Sequence, residues 1–447
     1  MTSTSVNPAA ESRPPRMPGI PFLTDNLNML NDPLRYLTHG YKTLGPVFRV
    51  RMGTTEYMIL AGLEANLFLQ GEGNKVFDSK ELFGGMAAQF NTDIMLTMLD
   101  GEPHSHMRKV MRAGFARSAV TPHVGTVVNI VQEYAGRWKS GDKVPVFDTM
   151  RRMICDQIGM VSTGMKAGDH FQDIVTFLKY VMNIELLKTA PRFLLQRQEF
   201  KRARARMLEL GREVVEFHRA NPPEQGGREP DLIDDLLANL RPDGDPFTDD
   251  DLIQMAVGPY IAGIDTLSST QSFLIYAVLK HPEIRARVEA DAETLFADGM
   301  PELKDFRKAE ALHAAGIEVL RRYPVAPFTP RTVTKPFEFN GFHFTPGMQV
   351  MVAQTVTHML PEYYPEPEKF DIDRHMGKSS VPPGVFAPYS LGAHTCLGAG
   401  MAEAIMLINM AALLKFSDLE LTTPDYEVPI RTIPLPNPGQ RFAVVVR

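Results

Sequence analysis

The sequence predicts a mainly α-helical fold with smaller β-sheets, in one domain spanning 1–447. Three observations predict it. Apolar residues recur at the helical period from about 105 to 280. One segment, 248–280, carries its own start and stop signals and is apolar nearly all round. Runs that read as strands are short and confined to 47–60 and 337–354, with a strand-like tail. No internal repeat and no shift in composition marks a second domain. With 44% apolar and 22% charged residues, the chain is neither disordered nor fibrous. A net charge of −6 argues against a nucleic-acid partner, which calls for a basic domain. Two cysteines, Cys155 and Cys396, exclude a disulfide framework and a four-cysteine zinc site, and a cytoplasmic location is expected. Residues 1–10 lack the basic start and apolar run of a secretion signal. No run approaches the roughly 18 apolar residues of a membrane span.

The elements follow in order. Pro14, Pro15, Pro18 and Pro21 mark an extended arm, since proline fixes φ and removes a donor. The arm and a first helix occupy 1–45. Residues 47–51 and 57–60 read as a strand pair around Gly53-Thr54. The helix-rich core runs from about 105 to 335, broken by a polar loop at 224–228. Short strands at 337–344 and 349–354 flank the turn residues Pro346-Gly347. A proline-rich irregular stretch covers 361–388, and a last helix covers 397–415.

The segment 248–280 is the central helix. Thr248 and Asp251 form a capping-box pattern, and three aspartates complement the helix dipole. His281-Pro282 stops it. Its 32 or so residues make a rod about 48 Å long, enough to cross the globule. Yet its middle contains Pro259, Gly263 and Asp265-Thr266. Proline and glycine suggest an opened helix; a buried carboxylate is costly without a partner. A helix made polar at one point is a candidate reaction site.

A second candidate lies in Tyr389-Ser-Leu-Gly392-Ala-His394-Thr-Cys396-Leu-Gly398. A turn-rich loop delivers one cysteine to a helix start, whose free amides favour a thiolate, a nucleophile or soft metal ligand. Gly392 and Gly398 are expected to let the backbone approach a flat group.

This loop resembles the heme-binding loop of the cytochrome P-450 family, Phe-x-x-Gly-x-(Arg/His)-x-Cys-x-Gly. Tyr389 replaces the usual phenylalanine, and Ser390 stands where many members have glycine. Three further motifs occur in the family's order. Ala262-Gly-Ile-Asp265-Thr266 is similar to the oxygen-activating segment of the long helix over the heme. Glu318-Val-Leu-Arg321 is similar to the Glu-x-x-Arg pair, and Phe370-Asp-Ile-Asp-Arg374 to the segment supplying its third member, an arginine. His104 and Arg108 are similar to the His-x-x-x-Arg under the heme.

The resemblance implies the family's fold, a heme b cofactor and Cys396 as the axial iron ligand. It implies that His104, Arg108, Arg331 and His394 hold the two propionates, as cationic donors suit carboxylates. Ala262, Tyr389, Gly392 and Gly398 would line the cofactor, and Asp265 and Thr266 would manage protons. His106 and Cys155 receive no role.

The implied activity is monooxygenation of an organic substrate with O2. Electrons would come from a separate ferredoxin or flavodoxin and its NAD(P)H-dependent reductase, docking on the basic Arg108, Lys109 and Arg112. By family position the pocket draws on 83–99, 171–195, 261–262, 325–329 and 435–438. Phe90, Met95, Met98, Ile261, Ala262, Val325 and Phe328, with Met86, Ile94 and Ile433, make it apolar. A medium or large apolar substrate is expected: a terpenoid, steroid, fatty acid or polyketide. Asp93 could hold a polar handle. The alternatives are a heme-thiolate peroxygenase, isomerase or coupling enzyme, and, more remotely, a heme sensor. Asp265-Thr266 argues against the non-hydroxylating enzymes, and no appended output domain is visible for a sensor.

Overall fold

The computed structural model describes residues 13–19, 29, 31–52, 55–377, 381–432 and 435–447. Pro21, the Gly53-Thr54 turn and Ile433 lie outside them. The arm is extended: Arg16 bridges to Arg49, and the Met17 amide donates to Arg49 O at 2.9 Å. Helix Pro33–Leu44 follows, capped by Asp32.

The main sheet has five strands, in spatial order Val47–Met52, Thr55–Ala61, Gln349–Ala353, Thr329–Val333 and Phe77–Asp78. Its centre joins chain ends: Thr55–Ala61 pairs in parallel with Gln349–Ala353. The single strand expected over 337–344 is instead a hairpin, Phe337–Phe339 with Phe342–Phe344, turning at Asn340-Gly341 where both residues have positive φ. The tail strand Ala443–Val446 pairs with both Lys143–Pro145 and Leu419–Leu421, so the C-terminus closes onto the helical core.

Helix Asp249–Lys280 is continuous over 32 residues, and the capping box between Thr248 and Asp251 is formed. Helix Val146–Thr163 packs along it. At their crossing Gly159 leaves no room: an added Cβ would lie 2.2 Å from Met165 O and 2.5 Å from the Tyr260 ring. Gly263 has the same kind of role, since an added Cβ would lie 2.1 Å from Ile158 Cδ1. This corrects the expectation that Gly263 opens the helix. It admits a neighbouring side chain. Pro259 does leave the Met255 carbonyl without its usual donor.

The last helix, Ala399–Phe416, is buried along most of its length against the core. It also corrects the expectation of no spanning run. The segment Gly392–Phe416 reaches a mean hydropathy of 1.7, enough for a membrane span by length and composition, but 61% of that window is buried inside the protein.

Candidate active site

The cysteine loop is a tight turn closed by the Cys396 amide, which donates to Tyr389 O at 3.0 Å. Gly392 is required at φ +78°, where an added Cβ would sit 2.7 Å from Leu69 O. A side chain at Gly392 would therefore collide with helix Leu63–Gln70. Gly398 has φ −88°, and an added Cβ would make only an ordinary 3.5 Å contact with Phe115. Ser390 adopts φ +63°, the left-handed conformation that glycine takes most easily. A 2.8 Å hydrogen bond between its hydroxyl and that of Thr329 helps hold it. The Tyr389 hydroxyl, absent from phenylalanine, finds Glu403 on the last helix.

Cys396 has accessible surface, yet protein surrounds it closely enough that desolvation is the largest influence on its thiol. Burial pushes it above the ordinary thiol value. The Gly398 amide, the Arg108 charge and the Ala399 amide pull it back. These groups favour an anionic sulfur, and a coordinated metal completes the deprotonation of a thiol.

Across the chain's core, helix Asp249–Lys280 is buried from 251 to 257 and again from 267 to 278. Ala262 between them is exposed, and Ile261, Gly263 and Thr266 are partly so. Ala262 and Thr266 are one turn apart on one side. The Thr266 hydroxyl donates to Ala262 O at 2.8 Å, which leaves its oxygen free to accept. Asp265 points elsewhere. It is 5% exposed and lies 2.8 Å from Arg151 Nε. The N–H is not aligned on the carboxylate oxygen, so this is an ion pair without a proper hydrogen bond. Burial raises the Asp265 pKa, and Arg151 partly offsets the rise. Arg151 left no signal in the sequence, because its partner is distant along the chain.

Two histidines and two arginines gather near one another. The His104 and His394 rings lie 4.1 Å apart, and His394 Nε2 is 2.7 Å from Asp100. Arg108 donates to Thr395 O, and Arg331 to Pro330 O, both at 2.8 Å. Burial, reinforced by His394 and Arg108, pushes His104 down to about 4. Burial also pushes Arg331, 8% exposed, down to about 10. Among the described residues neither arginine has a carboxylate within ion-pair reach. Buried guanidinium groups without an anion are costly. Two propionates would satisfy them, so the donor set fits heme: two arginines without an anion, a thiol drawn toward its anion by Arg108, and an accessible small residue and hydroxyl at Ala262 and Thr266.

Phe90, Met95, Met98 and Ile261 share one apolar cluster with Leu397, the neighbour of Cys396. Phe90 meets Phe177 edge-on at 5.6 Å. Phe328 packs instead against the cluster under the main sheet, and Val325 is partly buried. Asp93 is 78% exposed and bonds Arg241 at 3.0 Å. His106 Nε2 contacts Leu240 O at 2.8 Å, and Cys155 is a fully buried core thiol.

Glu318 and Arg321 are fully buried and joined by two 2.8 Å bonds. Arg374 approaches Glu318 only to 3.7 Å. The close third partner is His375, which the sequence reading missed.

A family profile described as Cytochrome P450 matches residues 14–438. A putative cytochrome P450 120 of Synechocystis sp. is 26% identical over 435 residues, 96% of each chain. The cyclooctat-9-en-7-ol 5-monooxygenase of Streptomyces melanosporofaciens is 24% identical, with 94% of each chain covered. A sterol 14alpha-demethylase of Mycolicibacterium vanbaalenii is 23% identical, with 88% covered in each. The solved structure of retinoic acid bound cyanobacterial CYP120A1 superposes with a TM-score of 0.84 at 25% identity, covering 98% of this chain and all of the other.

Proposed function

The chain belongs to the cytochrome P450 family, and from that membership we propose how this heme-thiolate monooxygenase uses its residues and what it acts on. When bound, heme b supplies the activation of O2 that inserts one oxygen atom into a substrate. Cys396 would hold the iron as thiolate, a ligand that pushes electron density toward the metal. Arg108, Arg331, His104 and His394 take the propionates and fix the ring's orientation. Thr266 anchors a proton donor on the substrate side, and Asp265 passes protons to it from the interior. The accessible, enclosed Cys396 is the single observation that carries the reading.

The substrate is a medium or large apolar molecule: a terpenoid, steroid, fatty acid or polyketide, hydroxylated or epoxidised. Support comes from the aromatic and methionine cluster of Phe90, Met95, Met98 and Ile261. The ligands named for three relatives, cyclooctat-9-en-7-ol, a sterol and retinoic acid, are likewise largely hydrocarbon. Electrons come from a separate ferredoxin or flavodoxin with its NAD(P)H-dependent reductase, in the cytoplasm, and the whole chain acts as one domain. Lys109 and Arg112 are exposed with no ion pair among the described residues, which suits an acidic partner.

The experiment is a screen of apolar compounds for displacement of iron-bound water, read from the heme spectrum, then product analysis with surrogate redox partners. The reduced carbonyl complex is expected to show the red-shifted band of thiolate ligation, and Cys396→His to lose it. A mutant with an unchanged band overturns the assignment of Cys396.

A further inference from the structure

The central helix stays polar beyond Asp265. Ser268, Ser269, Gln271 and Ser272 follow within two turns, all 0% exposed. At 100° per residue, Ser268, Ser269 and Ser272 fall on the Asp265 side of the helix, and Gln271 sits beside Ser268. This is a buried polar patch about 10 Å long on a helix that packs against its neighbours.

Its hydrogen bonds do not close. A helical serine or threonine ordinarily bonds back to a carbonyl one turn earlier. Thr266, Thr270 and Ser272 do so, the last to Ser268 O at 2.6 Å. Ser268 and Ser269 do not. Their hydroxyls have no protein partner, nor do Gln271 Oε1 and Nε2, nor, in aligned geometry, Asp265 Oδ1 and Arg151 Nε. Each buried polar group left unpaired costs about 1–3 kcal/mol. A dry patch of this kind would cost much of a domain's net stability. Buried polar groups in such sites are met by ordered water.

The same face leads outward. Tyr276 is one turn beyond Ser272, and its hydroxyl donates to Glu427 Oε2 at 2.9 Å. Glu427 is 77% exposed. From Asp265 to Tyr276 is about 16 Å along the axis.

We propose that these turns hold a chain of bound water which hydrates the Asp265 carboxylate and conducts protons to it from the surface at Tyr276 and Glu427. Ser268, Ser269 and Gln271 are its positioning residues. Each hydroxyl or water takes a proton on the outer side and releases one on the inner side, so the chain is unchanged after a proton has passed. The role in catalysis rests on the proposed reading of Asp265; the water site itself does not.

The test pairs a high-resolution crystal structure of the heme-loaded enzyme with kinetics of Ser268→Ala/Ser269→Ala/Gln271→Leu, and of Ser269→Ala alone should the triple variant fail to fold. Ordered waters are expected within hydrogen-bond distance of Ser268 Oγ, Ser269 Oγ and Gln271 in the wild type, and fewer in the variants. The triple variant is expected to lower product formed per NADPH about tenfold and to change the solvent isotope effect on turnover, inside the roughly 10²–10⁴-fold that positioned acid–base groups contribute. Ser269→Thr, which keeps the hydroxyl, is expected to restore both. A dry wild-type site overturns the proposal. So does a variant that has lost its waters yet keeps the wild-type ratio and isotope effect; if Asp265→Asn is impaired in the same assay, the reading of Asp265 survives. Ordered water together with an inert Asp265→Asn overturns the reading of Asp265, and with it the conducting role.

Discussion

His375 Nε2 lies 2.7 Å from Glu318 Oε2, a full ångström closer than the Arg374 Nε at 3.7 Å from the same carboxylate. Glu318 also accepts from two Arg321 nitrogens and from the Asp371 amide. Arg321 then donates to the carbonyls of His358, Pro367 and Lys369. One buried ion pair therefore pins the irregular stretch that leads to the cysteine loop. Its value lies in satisfaction on all sides, because burying charges gains little unless every donor and acceptor is met.

Glu318→Ala is expected to destabilise the fold by about 3–5 kcal/mol, since it leaves the Arg321 charge buried and unpaired. His375→Phe removes one hydrogen bond and is expected to cost about 1–3 kcal/mol. Denaturant titration checks both, with heme retention as a second readout. Hydrogen bonds from Arg321 and His375 outweigh burial and hold the Glu318 carboxyl below its usual 4.5. Its stabilisation is therefore complete above that value and lost as pH falls through the lower folded value. Glu318→Gln is expected to flatten stability against pH in that acid window.

His358 gives a second acid-sensitive point. Its Nε2 accepts from the Ala387 amide at 2.9 Å, and its Nδ1 faces Arg321 O at 3.2 Å. These two bonds require the neutral ring with the proton on Nδ1. Burial, with Arg321 nearby, pushes its pKa from 6.5 down to about 3. The unfolded chain binds a proton below 6.5 while the folded chain refuses it, so stability present above 6.5 drains as pH falls toward 3. His358→Gln is expected to reduce the slope of stability against pH in this window by up to about one proton. An identical slope in the variant would show that the ring is protonated in place.

Much of the fold was legible because its signals are local. The capping box at Thr248 and Asp251, the strand pair near 47–60 and the last helix each announce themselves within a few residues. The cysteine loop was legible for the same reason. The partners of its residues were not. Arg151 reaches Asp265 from another helix, and His375 joins Arg374 at Glu318 by side-chain reach alone. Gly263 was expected to open the helix and instead admits Ile158, since sequence shows that a backbone carries no side chain and not what fills the room. The apolar content of Ala399–Phe416 was likewise underestimated as a continuous run.

Ser390 tests the loop's backbone. A non-glycine residue at φ +63° carries strain of about 1–3 kcal/mol, offset in part by the bond to Thr329. Ser390→Gly is expected to change stability by no more than about 1 kcal/mol in either direction, with an unchanged heme spectrum. Ser390→Val keeps the strain, adds a β-branch and loses the bond. It is expected to cost about 2 kcal/mol or more and to lower heme retention. Equal stabilities for the two variants would argue against strain at this position.

The proposed docking of the electron donor rests on the exposed Lys109 and Arg112. Lys109→Glu with Arg112→Glu is expected to slow reduction by an acidic ferredoxin about tenfold or more at low salt, with a smaller difference at high salt, because exposed charges are screened within about 10 Å at 0.1 M. Stopped-flow reduction of the heme enzyme checks it. Salt-independent rates, unaffected by the double substitution, would move the docking surface elsewhere.

Arg151 opposes the effect of burial on Asp265. Burial raises the carboxyl pKa and Arg151 holds it down, so the two effects oppose each other at one oxygen. Removing the cation leaves burial alone. Arg151→Met is therefore expected to raise the Asp265 pKa further, because it removes the adjacent opposite charge. If the carboxylate form relays protons, the acid limb of the pH profile for product per NADPH moves to higher pH by the same amount. Arg151→Lys keeps a charge and is expected to move the limb less. Stability should fall less than for a buried pair whose survivor stays charged, because Asp265 can take up a proton. Asp265→Asn should abolish the limb altogether. Profiles that coincide in wild type, Arg151→Met and Asp265→Asn would assign the limb to another group and remove Arg151 from the proton path.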